Sequence, residues 1–291
     1  ARATAKPACR AWRAVALDMD GTSLSSEGRL AERTVQAIRR AEAAGLRVVF
    51  ATGRPANAVQ AHVNALALPR PLPAVCWNGA CALMLQARDE EAQGAGAPAG
   101  GLGEVLLKEE LSADATAQVL SLCSEFGWCA SYCLPDGAQA APENEEQERL
   151  LKLFEILEGV SQQRVADLGA LLAAGTLPLK VVAMVDDPEA SAARARERLP
   201  EGLVRIVAAE MHVEFISPKV CKGDSLAAVC RDSLGIPLDD VIAFGDNNND
   251  KEMLQLVGEG VAMKNAKESV KEVANRTCKW TNDEEGIAKE L

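Results

Sequence analysis

Residues 14–22 read Ala14-Val15-Ala16-Leu17-Asp18-Met19-Asp20-Gly21-Thr22. The apolar run at the start is too short for a helix and suits a buried strand. Two carboxylates spaced i, i+2 at its exit, followed by a turn glycine, bring both side chains near one point. Such a pair can divide labour, one carboxylate attacking as a nucleophile while the other gives and takes protons. The same residues also read as an Asp-rich turn that merely ends a strand, with Gly21 supplying a positive φ. Taken alone, the pentapeptide leaves both readings open.

Three further segments bear on the choice. Leu46-Arg47-Val48-Val49-Phe50 leads into Ala51-Thr52-Gly53-Arg54, and Lys222-Gly223 stands before a helical stretch. Val241-Ile242-Ala243-Phe244-Gly245 leads into Asp246-Asn247-Asn248-Asn249-Asp250. In this order the four motifs resemble those of the haloacid dehalogenase (HAD) superfamily, most closely its Cof-type phosphatases with a C2-type cap. The resemblance runs from about Val15 to the C-terminus. Trp77-Asn78-Gly79-Ala80, Ala262-Met263-Lys264-Asn265-Ala266 and Asn282-Asp283-Glu284-Glu285-Gly286-Ile287-Ala288 extend it.

The resemblance implies phosphoryl transfer from a small phosphomonoester, such as a sugar phosphate or flavin mononucleotide, to an aspartate and then to water. Asp18 matches the nucleophile and Asp20 the acid/base. Magnesium would be held by Asp18, Asp246 and the backbone carbonyl of Asp20, and it would remove the repulsion between carboxylate and phosphate. Asp250 fits a supporting role, orienting waters or Lys222. Thr52 and Lys222 match groups that hold the transferring oxygens, Lys222 adding its charge to a helix start. Backbone N–H groups after Asp18, that of Met19 first, can cradle the same oxygens. Gly53, Arg54, Asn78 and Asn249 match positions expected to face or support the substrate. Asn247-Asn248 departs from the glycine or glutamate common there, but leaves both acids and Asn249 in place. A phosphomutase is the alternative within enzymes, since some carry a similar cap. A non-catalytic phosphoacceptor or binding module is the alternative outside them; receiver domains also set an Asp at a strand end, but lack an acid at +2 and a large insertion.

Composition narrows the partners. The net charge of −11 argues against nucleic acid or an anionic membrane surface. No apolar run approaches the roughly 20 residues needed to span a bilayer. Within one cleft, Arg54, Lys222 and a bound cation can still reverse the field for a phosphorylated metabolite. Nine cysteines, odd in number and without paired spacing, read as reduced and mostly buried. Cys123, Cys129 and Cys133 do not have a usual zinc spacing. Two histidines without a Ser or Cys partner at telling spacing give no catalytic triad. The expected assembly is a monomer or weak homodimer. Residues 1–13 are basic and free of acid, which suits an organellar transit-peptide remnant as well as a flexible terminus, so the expected compartment is cytoplasmic or organellar.

Alternating strands and helices through residue 78, and again from Asp239, predict an α/β fold with a doubly wound parallel sheet and its site at the strands' carboxyl ends. Helices are expected at 30–44, 55–66, 112–126, 143–158 and 161–174. Between about 82 and 216 the rhythm becomes α+β, which the resemblance reads as a cap domain inserted into a discontinuous core of 14–81 plus 217–291. Within it, Gln93–Gly103 is a Gly/Ala-rich loop, expected to be mobile.

Overall fold

The computed structural model describes residues 11–88, 103–158, 161–209 and 211–291. Most of the acid-free terminus and of the 93–103 loop therefore lies outside the described residues. The chain divides into two compact units. The first comprises residues up to Gly53, Gln60–Leu106 and Cys221–Leu291; the second comprises Arg54–Val59 and Leu107–Val220.

The first unit is built on an eight-stranded sheet. Its strands are β1 (Ala14–Leu17), β2 (Arg47–Ala51), β3 (Leu72–Cys76), β4 (Cys81–Leu85), β5 (Glu104–Lys108), β12 (Val241–Gly245), β13 (Glu259–Ala262) and β14 (Arg276–Thr277). They lie in the order β14-β13-β12-β1-β2-β3-β4-β5. From β14 to β3 all neighbours are parallel, and β4 returns antiparallel to β3. β1, β3 and β12 are buried along their whole length, as a parallel sheet covered on both faces requires. The crossovers include α1 (Glu32–Ala43), α2 (Ala56–Leu66), α7 (Lys222–Ala228), α8 (Lys251–Leu256) and α9 (Glu268–Lys271), and α10 (Gly286–Glu290) closes the chain. Strand order runs outward from β1 to β3 on one side and from β12 to β14 on the other. The reversal between β1 and β12 is the switch point at which open α/β sheets place their ligands.

The second unit has an antiparallel-rich sheet in the order β10-β11-β9-β6-β7-β8. Its strands are β6 (Cys129–Leu134), β7 (Gly137–Ala140), β8 (Gln163–Arg164), β9 (Lys180–Met184), β10 (Arg205–Ala208) and β11 (His212–Ile216). Tyr132, Val181, Ala183, Val213 and Phe215 point to one face and form a core with Val119 and Leu122 of α3 (Ala113–Phe126) and Ala192 and Ala195 of α6 (Pro188–Arg198). Ser112 caps α3 by accepting from Ala115 N–H at 3.1 Å, and Gly127 ends it in the left-handed region.

Two expectations change. The boundary of the insertion is not 82–216, because Cys81–Leu85 and Glu104–Lys108 extend the first unit's sheet beyond β3. A helix over 161–174 does not form. Gln163–Arg164 instead pairs in parallel with β7, and the Arg164 guanidinium bonds Glu148 and Glu155 of α4 (Glu145–Glu158). The helix begins only at Leu168, where Asp167 caps α5 (Leu168–Ala173). Cys129–Leu134, to which the sequence reading gave no element, is a largely buried strand, and its thiols are reduced and buried as expected. The eight described cysteines are free thiols, and burial pushes Cys129 up to about 12 and Cys133 to about 11.

Candidate active site

Register brings three loops to one level. Leu17 pairs with Phe244 on one side and with Phe50 on the other, so the chains leave the sheet together toward Asp18, Asp246 and Thr52. Asp18 is fixed by its own backbone, its N–H donating to Phe244 O at 3.0 Å. The loop that follows is closed on itself. Ser23 Oγ donates to Asp18 O at 2.8 Å and Leu24 N–H to Met19 O at 2.8 Å. Gly21 has φ +74, and a Cβ there would meet the Asp246 carboxylate at 2.4 Å, so only glycine lets these loops approach. Gly79, at φ +103, makes a similar approach to the carbonyl of Cys221 just before α7.

The first turn of α7 delivers Lys222 into the space between the strand ends. Its side chain is 1% exposed, and its ammonium donates to Asp18 Oδ1 at 2.6 Å and to Asp250 Oδ1 at 2.8 Å. The other oxygen of Asp250 accepts from the N–H groups of Asp246 and Asn247, both at 3.0 Å. Asp246 Oδ1 accepts from the Thr22 hydroxyl at 3.0 Å. Ligand oxygens of Asp18, Asp246 and Asp250 all lie within 4.8 Å of one another. Three carboxylates therefore crowd around one ammonium. Burial pushes the Asp18 carboxyl well above its usual range, with Asp250 adding to it and Lys222 opposing. Asp246 is raised in the same way, by burial and then by Asp250. Burial opposes charge on Lys222 as well, but Asp18 and Asp250 outweigh it and hold the ammonium protonated.

These donors suit a hard divalent cation, which takes oxygen ligands and relieves the repulsion. Both Asp250 oxygens are already engaged, by Lys222 and by two backbone N–H groups. Asp18 and Asp246 each keep an oxygen outside their bonds to Lys222 and Thr22, so they are the carboxylates able to hold the ion.

Residues 15–291 match the family model described as haloacid dehalogenase-like hydrolase. The chain belongs to that family. Among its relatives, the 5-amino-6-(5-phospho-D-ribitylamino)uracil phosphatase YitU of Bacillus subtilis is 28% identical over 283 residues, covering 95% of each chain. The HMP-PP phosphatase of an Enterobacter species is 27% identical over 267 residues, covering 87% of this chain and 85% of that protein. A haloacid dehalogenase-like hydrolase from Bacteroides thetaiotaomicron shares the fold, with a TM-score of 0.78 at 24% identity over 96% of this chain and 98% of that one.

In this HAD-like hydrolase the predicted residues do not all converge in one way. Asp18, Asp246, Asp250 and Lys222 form one bonded cluster. Thr52 is fully buried at the end of β2, with Asn78 N–H donating to its carbonyl at 3.0 Å. Asn78 Oδ1 accepts from Asn249 Nδ2 at 2.8 Å, and it lies 3.1 Å from where a Cβ on Gly53 would stand, so three of the expected substrate positions touch. Trp77 and Asn78 both have positive φ, 52 and 56, a strained pair of the kind that accumulates at functional sites. Met19 is buried beneath the loop, and Asp20 is exposed at its apex. Arg54 belongs to the second unit.

Two contacts have no counterpart in the sequence reading. Thr22 was read only as part of the motif, yet its hydroxyl orients Asp246. Asn265 carried no role, yet its Nδ2 donates to Gly21 O at 2.7 Å. Both polar side chains stand in or beside quoted motifs, but nothing local to either of them names a partner 224 or 244 residues away.

Proposed function

We propose that the chain is a magnesium-dependent phosphatase that hydrolyses a small phosphomonoester through an aspartyl phosphate on Asp18. The observation that carries this reading is the cluster of Asp18, Asp246 and Asp250 around the buried Lys222, with its surplus of carboxylates. The family match and the named activities of the relatives agree with it.

Asp18 attacks phosphorus, and the P–O bond to the alcohol breaks as the Asp18–phosphate bond forms. Asp20, exposed on the loop, gives its proton to the departing alkoxide. It then takes a proton from water as that water attacks the phosphoenzyme, and Asp18 and inorganic phosphate are released. Lys222 faces the charge that builds on the transferring oxygens, and Asp250 fixes its ammonium by a bond to a carboxylate that is itself locked to the backbone. Backbone N–H groups from Met19 onward and the Thr52 hydroxyl hold the remaining oxygens. Gly53, Asn78 and Asn249 line the approach to them. Asp18, Asp246 and the Asp20 carbonyl would hold magnesium, which when bound would neutralise charge as the carboxylate approaches an anion.

The test is phosphate release from p-nitrophenyl phosphate by the full chain, with magnesium or with excess chelator. Activity is expected only with the cation, and Asp246→Asn should lose it while remaining folded by circular dichroism. Undiminished turnover in chelator would end the metal assignment, and no turnover under any condition would end the phosphatase reading.

A further inference from the structure

An edge strand carries a row of N–H and C=O groups that can template another chain. The two described sheets end in four such strands, and three of them are blunted. β14 and β8 are two residues long, and their arginines are held in place, Arg276 by Glu259 and Glu290, Arg164 by Glu148 and Glu155. On β10 the Ile206 carbonyl accepts from the Arg196 guanidinium of α6 at 3.1 Å. β5 differs. It is five residues long and ends the eight-stranded sheet, and among the described residues no strand pairs with its outer side. Its Val105 is 47% exposed.

The strand reads Glu104-Val105-Leu106-Leu107-Lys108, an acid, three apolar residues and a base. Charges on an edge commonly guard against pairing, but these two are opposite in sign and equidistant from Leu106. Laid antiparallel with Leu106 opposite Leu106, two copies set Glu104 of each against Lys108 of the other, and Val105 against Leu107. Directly opposite residues share a face of an antiparallel pair, so both kinds of pair are in contact. A parallel arrangement sets Glu104 beside Glu104 and Lys108 beside Lys108. A shift by two residues puts each charge opposite Leu106 or beyond the strand. The charges therefore favour one register. Lys108 bonds Glu110 at 2.7 Å, and its ammonium has three donors, so a second carboxylate can join.

We propose that two copies of this chain associate through the outer edge of β5, as a two-fold antiparallel strand pair centred on Leu106. The two-fold axis closes the contact on itself, so it makes a dimer and not a filament. About 17 Å of strand is short beside the roughly 20–30 residues a side of a stable interface, so the dimer is weak and depends on concentration.

Sedimentation equilibrium of the full chain, taken up to about 1 mM, should show reversible dimerisation. Glu104→Lys and Lys108→Glu each set like charges against one another at both ends and should weaken the dimer about tenfold. An equimolar mixture of the two variants should regain it, because each copy then supplies the charges that the other lacks. Both positions are exposed, and circular dichroism checks the fold. A second measurement needs no variant: amide exchange at residues 104–108 of the wild type should slow as concentration rises. A wild type that stays monomeric, a dimer indifferent to both substitutions, a mixture no tighter than its components, or exchange independent of concentration would each overturn the proposal.

Discussion

Each unit of this protein buries a lysine against a carboxylate, and the two pairs behave in opposite ways. In the first unit, Lys222 meets Asp18 and Asp250. In the second, Lys180 of β9 is bonded to Glu214 of β11, and His212 Nε2 lies 3.6 Å from the same carboxylate. All these groups are buried or nearly so. Burial works against the charge of Glu214, but Lys180 and His212 more than offset it and hold the carboxyl down at about 2. Asp18, with an ammonium at 2.6 Å, is nevertheless pushed up. The difference is stoichiometry and place. Glu214 is one carboxylate facing one ammonium in mid-strand, where the sheet fixes the geometry. Asp18 and Asp246 stand at parallel strand ends and Asp250 at the start of α8, so three carboxylates meet where separate loops are forced together. A balanced pair offsets its own charge, whereas a surplus of carboxylates favours a cation beside it.

The sharpest way to break this contrast is to neutralise the two carboxyls in turn. Asp18→Asn should abolish turnover, a loss of about 10⁴-fold or more on the scale of other removed nucleophiles, because an amide cannot form the phosphoenzyme. The same change should leave the chelator-treated protein at least as stable as wild type in a thermal melt, since it removes a buried like charge. A clearly lower melting temperature would mean that the cluster is balanced without a cation.

The corresponding change in the second unit should do the reverse. Lys180→Met strands Glu214 in the interior and should cost about 3–5 kcal/mol in denaturant unfolding. Replacing Lys180 and Glu214 together by apolar residues should recover most of that loss. If the single substitution proved harmless, the pair would not be a stabilising unit.

A smaller effect lies in pH. The folded pKa of Glu214 lies below its ordinary value, so its contribution is complete above about 4.5 and is lost as pH falls toward about 2. Melting curves across that window should drop for wild type and flatten for Glu214→Gln. Parallel curves for the two proteins would assign acid sensitivity elsewhere.

Much of the site could be read along the chain because its chemistry sits where local pattern changes. Asp18, Thr52 and Asp246 each follow a short apolar run, and a parallel strand ends where such a run ends. The ordered motifs therefore carried the fold class, and they named every member of the bonded cluster. Elements without such punctuation were read poorly. Gln163–Arg164 became a strand because Glu148 and Glu155 of α4 hold Arg164 and β7 offers an edge; both facts are remote from the segment itself. Cys129–Leu134 is apolar enough for a strand, but the sequence reading weighed its cysteines only as buried thiols and assigned it no element.

What the sequence determined by itself is which side chains are present and in what order they leave the sheet. It could not determine that Lys222 spans Asp18 and Asp250, that Thr22 turns Asp246, or that Asn265 reaches Gly21. Those contacts join residues 28 to 244 positions apart. They exist because the register of β1 with β12 and β2 sets separate loops at one height, and because Gly21 and Gly79 let them close to distances that a Cβ would forbid. Hydrophobic periodicity reports what is local to a strand or helix. The surplus of carboxylates arises only when distant strand ends meet, and the tertiary structure alone decides that.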